Sequence, residues 1–176
     1  MHWIFKRRWR LILIGIMVVV YLLSARAEAE SNSDYGANGA LRDSTITLQE
    51  ALTYALEDEY AARDRYKAIL TRYGSKIPFQ QTLQSKVKDI KALEGLCTQH
   101  NIKPPMSDTS NVIAPPLTLY QAFQDSIRAE TNNIAMYEKL LKESYPEEVT
   151  SQFNRLHTTS KKQLAALNFG LAQQQK

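Results

Sequence analysis

Cysteine occurs once in the 176 residues, at Cys97, so the chain can close no internal disulfide and holds no paired-cysteine zinc motif. Glycine is sparse, with six residues, and none sits in a Gly-rich loop of the kind that cradles phosphates. The three histidines stand in no Ser-His-Asp arrangement, and Glu-x-x-His does not occur. No stretch alternates apolar and polar residues as a half-buried strand would. These absences remove residue-level support for a disulfide scaffold, a nucleotide binder, a hydrolase or a zinc site. Cys97 reads as a small apolar packer on a helix.

Long apolar runs are also absent, except at the start. Lys6, Arg7, Arg8 and Arg10 precede 13 residues, Leu11 to Leu23, that carry no charge, and Ala25-Arg26-Ala27 follows as a small-x-small site. Residues 1–27 read as a secretory signal peptide, and the apolar run falls short of the ~20 residues of a spanning helix. A retained N-terminal anchor, with Trp3, Trp9 and Tyr21 at the interface, is the alternative. Either reading places the remainder outside the cytoplasm: exported, periplasmic or extracellular if cleaved, and inner-membrane anchored if not. The segment also accounts for the basic pI of about 9.1. Five of the 22 basic residues and none of the 18 acidic ones lie within it, which leaves 17 against 18 and a formal charge of −1. That balance leaves no nucleic-acid footprint.

What is present is a repeat. Thr47-Leu48-Gln49-Glu50-Ala51 returns 71 residues later as Thr118-Leu119-Tyr120-Gln121-Ala122. In the same register Glu59 matches Glu130 and Tyr66 matches Tyr137. Thr47 with Glu50 forms a capping box, and Thr118 with Gln121 repeats it. Leu48, Leu52, Leu56, Tyr66 and Ile69 recur at helical spacing, so a first helix is expected over 48–73, stopped by Gly74. A second is expected over 79–100, with Phe79, Leu83, Val87, Ile90, Leu93 and Leu96 inward. A third should span 118–144, and a fourth 147–171, with Val149, Phe153, Leu156, Leu164, Leu167 and Leu171 inward.

Residues 28–46, rich in small and polar side chains, are expected to be a flexible linker, leaving 47–172 as the bundle. Between the second and third helices lie residues 101–117, containing Pro104, Pro105, Pro115 and Pro116, which exclude a helix and favour an extended strap. Two short turns and one long connection predict an all-α, up-down-down-up four-helix bundle of the ferritin type, in which the strap travels the bundle's length.

The stretch Glu57-Asp58-Glu59-Tyr60-Ala61-Ala62-Arg63-Asp64-Arg65-Tyr66 resembles the first helix of ferritin-like proteins, particularly a prokaryotic family called domain of unknown function 2202. Residues 79–104 and 149–167 resemble its second and fourth helices. The resemblance implies a di-metal carboxylate centre, with a Glu on each of two helices and a Glu-x-x-His on each of the other two. Aligned with that pattern, the second helix offers Lys86 and Asp89, and the fourth offers Ser160 and Gln163. Glu59 and Glu130 remain, but both histidines and both bridging glutamates are missing.

Lys86 would supply the positive charge that the ions give in that family. The expectation is a buried salt-bridge and hydrogen-bond cluster of Glu59, Tyr66, Lys86, Asp89, Glu130, Tyr137, Ser160 and Gln163. The alternative is that Lys86 and Asp89 form a solvated pair, since Lys86 lies at the edge of the apolar stripe of Leu83, Val87, Ile90 and Leu93. No catalytic residue and no cofactor is expected. If a metal binds, iron or manganese on Glu59, Asp89, Glu130 and His157 is the set available. Three functions follow: a non-catalytic exported bundle binding a protein or small molecule, a ferritin-like oxidase, peroxidase or iron-handling protein with an unusual ligand set, or a membrane-tethered scaffold. Homodimerisation stays open.

Overall fold

The computed structural model describes residues 34–107 and 114–174; the signal-peptide reading of 1–27 lies outside them. Five helices make up these residues: α1 (Gly36–Arg42), α2 (Leu48–Tyr73), α3 (Phe79–Gln99), α4 (Leu119–Leu140) and α5 (Glu147–Gln173). Among the described residues there is no strand, and no helix is long and apolar enough to cross a membrane.

The ends of the long helices follow from local chemistry. Thr47 Oγ1 accepts from the Glu50 N–H at 3.3 Å, while Glu50 Oε2 accepts from the Thr47 N–H at 2.8 Å, closing the capping box at α2. At α4 only half of that device forms. Thr118 Oγ1 accepts from Gln121 N–H at 3.1 Å, but Gln121 Oε1 takes the Leu117 N–H instead. Helix α3 ends in a Schellman turn: Asn101 has φ +54°, the Ile102 N–H reaches the Cys97 carbonyl at 2.8 Å, and the Asn101 N–H reaches Thr98. The third helix stops at Leu140, short of the expected 144, because the N–H groups of Lys142 and Glu143 turn back to Lys139 and Leu140 ahead of Pro146.

Helices α2 and α3 form one hairpin, α4 and α5 the other, and the hairpins meet through α2 with α4 and α3 with α5. Two apolar clusters fill the interior. One gathers Leu52, Leu56, Leu93, Cys97, Met136, Val149 and Phe153; the other gathers Ile69, Phe79, Phe123 and Leu167. In the second cluster Phe79 and Phe123 lie 4.6 Å apart between ring centroids. Gly170 lets Phe123 approach so closely that a Cβ there would stand 2.4 Å from its ring. Polar residues occupy the space between the clusters.

Two expectations are corrected. Residues 36–42 are not linker but helix α1, which packs on α2 and α4 and buries Ala37 and Ala40. Small side chains, which suggested mobility, are what allow this close approach. Its first turn is tied down by α2: the Gly36 N–H donates to Glu57 Oε2 at 2.9 Å and the Ala37 N–H to Asp58 Oδ1 at 3.3 Å. Val87, placed on the inner face, is 39% exposed. The buried residues of α3 are Phe79, Thr82, Lys86, Asp89, Ile90, Leu93 and Cys97, so the helix turns a lysine and an aspartate to the core and a valine outward.

Candidate functional site

Spacings of three and four place one polar band at mid-height on each long helix. On α3 it is Lys86 and Asp89, between Thr82 and Leu93; on α5 it is Ser160 and Gln163, between Leu156 and Leu167. Helix α2 contributes Glu59 and Tyr66, and α4 contributes Glu130, Asn133 and Tyr137. All nine are buried.

Lys86 stands at the middle. Its Nζ is 3.4 Å from Oε1 and 3.3 Å from Oε2 of Glu59, and 3.4 Å from Oε1 and 3.5 Å from Oε2 of Glu130. The two tyrosines then cross between repeats. Tyr66 Oη, on the first hairpin, donates to Glu130 Oε1 at 3.0 Å, and Tyr137 Oη, on the second, donates to Glu59 Oε1 at 3.2 Å. Each carboxylate therefore receives a phenol from the other hairpin and shares one ammonium. Since Lys86 is 1% exposed and Glu59 0%, these charges meet in a low-dielectric interior where an unpaired one would be costly.

The remaining expected members divide. Ser160 Oγ donates to Asn133 Oδ1 at 2.5 Å, and Asn133 Nδ2 donates to Asp58 Oδ2 at 2.6 Å. Since Asp58 also accepts from Ala37, this chain links α5, α4, α2 and α1. Asp89 turns from Lys86 to Arg155 Nη2 at 2.9 Å and to Ser85 Oγ at 3.1 Å. Gln163 is buried with its Oε1 unpaired. The sequence reading missed Asn133, Asp58 and Arg155. Asn133 lies one turn after Glu130 on the same face, a spacing that could have identified it.

Electrostatics follow from the geometry. Burial raises the Glu59 pKa to about 7, against the pull of Lys86, with Asp58, Asp89 and Glu130 adding to the rise. For Lys86 burial works downward, yet Glu130 and Glu59 together outweigh it and hold the ammonium charged. Burial, with the carboxylate each one faces, pushes Tyr66 and Tyr137 well above the usual phenol range. Both act as donors and neither is available as a phenolate.

The donor set does not fit a di-iron or di-manganese centre. Lys86 Nζ occupies the space between the two carboxylates, Asp89 is engaged by Arg155, and His157 Nε2 pairs with Glu138 at 3.3 Å rather than facing Glu59. The set Glu59, Asp89, Glu130 and His157 therefore does not converge. Among the described residues no three His, Cys, Asp or Glu side chains come together to hold a metal ion. What the arrangement does chemically is hold two carboxylates, one ammonium and two phenols in fixed relation, away from water. Comparison of the chain with protein-family models, curated proteins and solved structures finds no match.

Proposed function

We propose that this chain is an exported ferritin-like bundle in which Lys86 has replaced the metal ions, and that it serves as a non-catalytic binding or scaffold module. The observation that carries the reading is the position of one ammonium within 3.5 Å of carboxylates from both repeats. A side-chain cation there neutralises Glu59 and Glu130 as a divalent ion would, but offers no open position to oxygen or peroxide.

Contacts between the hairpins support the up-down-down-up order. Residue 59 meets 137 and 66 meets 130, so numbers rise along α2 as they fall along α4. With a short turn in each hairpin, α3 then runs parallel to α4, and the connection between them starts and finishes at opposite ends of the bundle. Its two ends agree with that path. Gln99 and His100 reach Glu148 at the start of α5, whereas Tyr73 at the end of α2 donates to the Pro116 carbonyl at 2.6 Å.

Metal analysis of protein purified without chelators, then offered iron or manganese, tests the reading. Substoichiometric metal in the wild type, unchanged in Glu130→Ala, is expected. Stoichiometric iron or manganese that disappears in Glu130→Ala would overturn it and favour the iron-handling alternative. Sequencing the N-terminus of exported protein distinguishes cleavage after residue 27 from a tethered scaffold.

A further inference from the structure

The end of the bundle opposite α1 carries an unusual pairing of exposed apolar and basic side chains. Four segments converge there. The end of α2 bonds to the start of α4 through Tyr73 with Pro116 and Arg72 with Leu117. The start of α3 stacks on α4 through Phe79 and Phe123, and the end of α5 reaches the same ring through Gly170. Leu70, Tyr73, Leu119 and Leu171 complete this apolar layer, yet large hydrophobic side chains continue beyond it into solvent. Ile77 is 73% exposed, Leu117 75%, Phe169 70% and Tyr120 41%.

Among the described residues, charge on this end has one sign. From residue 65 to 85 the chain has Arg65, Lys67, Arg72 and Lys76 and no Asp or Glu, while 114–124 and 163–174 carry no charge. Arg72 and Lys76 are exposed beside Leu117 and Ile77. The nearest acids along α2 and α4, Asp64 and Asp125, are held by Arg63 and Arg128 at 2.8 and 2.9 Å. The other end carries both signs, with Glu50, Glu143, Glu147 and Glu148 alongside Lys139 and Lys142.

We propose that this end docks on an anionic membrane surface, with Ile77, Leu117, Tyr120 and Phe169 entering the interface and Arg72 and Lys76 pairing with lipid phosphates. Apolar side chains flanked by uncompensated cations combine the two attractions that hold a protein at an anionic bilayer. A second copy of the chain is the less suitable occupant, because a symmetric contact would set Arg72 and Lys76 against themselves.

The test uses the full chain with an environment-sensitive fluorophore on a single introduced thiol, Cys97 being buried. Ser75→Cys reports the basic end and Ser144→Cys the opposite end. On vesicles containing anionic phospholipid, the label at 75 is expected to shift to the blue and to be quenched by a lipid-phase quencher; the label at 144 is expected to stay aqueous. Neither should respond on zwitterionic vesicles. Substituting Arg72→Ser with Lys76→Ser should lower the docked-to-free ratio roughly 30-fold, about fivefold for each basic residue. Phe169→Ser should weaken docking while leaving thermal unfolding unchanged. Equal responses at 75 and 144, or an aqueous label at 75 on anionic vesicles, would overturn the proposal. So would a concentration-dependent shift at 75 without lipid, which assigns the face to self-association.

Discussion

Replacing Lys86 by Met removes the ammonium and keeps most of the side-chain volume, which isolates the charge. Two buried carboxylates then face each other with only Tyr66 and Tyr137 as donors. Removing one member of a buried ion pair costs about 3–5 kcal/mol, a large part of the ~5–15 kcal/mol by which a domain is stable. For a domain of this size that is a fall in Tm of roughly 6–20 °C, at about 2–4 °C per kcal/mol.

The sign of the pH dependence separates charge from packing. Glu59 already has a raised pKa, to about 7, so the folded state holds its proton more tightly than the unfolded state does. That contribution is fully present below the ordinary carboxylate range and is lost as pH rises towards 7. Without Lys86 the rise is larger and the loss extends to higher pH. Urea unfolding followed by circular dichroism at pH 5 and pH 8 should show a gap between wild type and Lys86→Met that widens with pH. A gap below about 1 kcal/mol at pH 8, the median of an exposed pair, would refute the reasoning. So would one that does not change with pH, which leaves packing as its only cause.

Three further outcomes are expected. Tyr66→Phe and Tyr137→Phe should each cost about 1–3 kcal/mol by leaving a buried carboxylate short of a donor, and a double-mutant cycle should show the two losses to be non-additive, because both carboxylates share Lys86. Gly170→Ala gains about 1 kcal/mol of helix propensity but drives a methyl into Phe123 at 2.4 Å; overpacking of ~1–3 kcal/mol should win, and the added change Phe123→Leu should recover part of the loss in thermal unfolding. Asp58→Ala removes the acceptor shared by Ala37 and Asn133, so amide exchange in α1 should accelerate well before α2 or α4 responds.

The long helices were legible because their signals are local. Thr47 with Glu50, Thr118 with Gln121, and Gly74 mark ends that need no knowledge of the fold. Lys86 was legible only by alignment, since periodicity alone favoured Val87 as the inward residue and left the lysine at the margin. Helix α1 was misread because Gly36, Ala37, Gly39 and Ala40 form a surface that another helix can approach closely, whereas composition registers only the shortage of large apolar side chains. Arg155 depends on which helices become neighbours. The exchange of tyrosines depends on it too: the repeat predicted a Glu and a Tyr on one face of each helix, but not that each phenol would serve the other helix's carboxylate.

That exchange bears on how the chain assembles. Neither hairpin supplies its own glutamate with a phenol, so α2–α3 and α4–α5 are not two independent folding units, and opening one strips a donor from the interior of the other. Nor do the central bonds record which polypeptide supplied the second hairpin: a hairpin from another copy would bring the same Glu130 and Tyr137 to the same partners. The choice between a closed monomer and a dimer with exchanged hairpins therefore falls to the length of chain between α3 and α4 and to protein concentration. Shortening that connection would convert one into the other without altering a single contact at the centre.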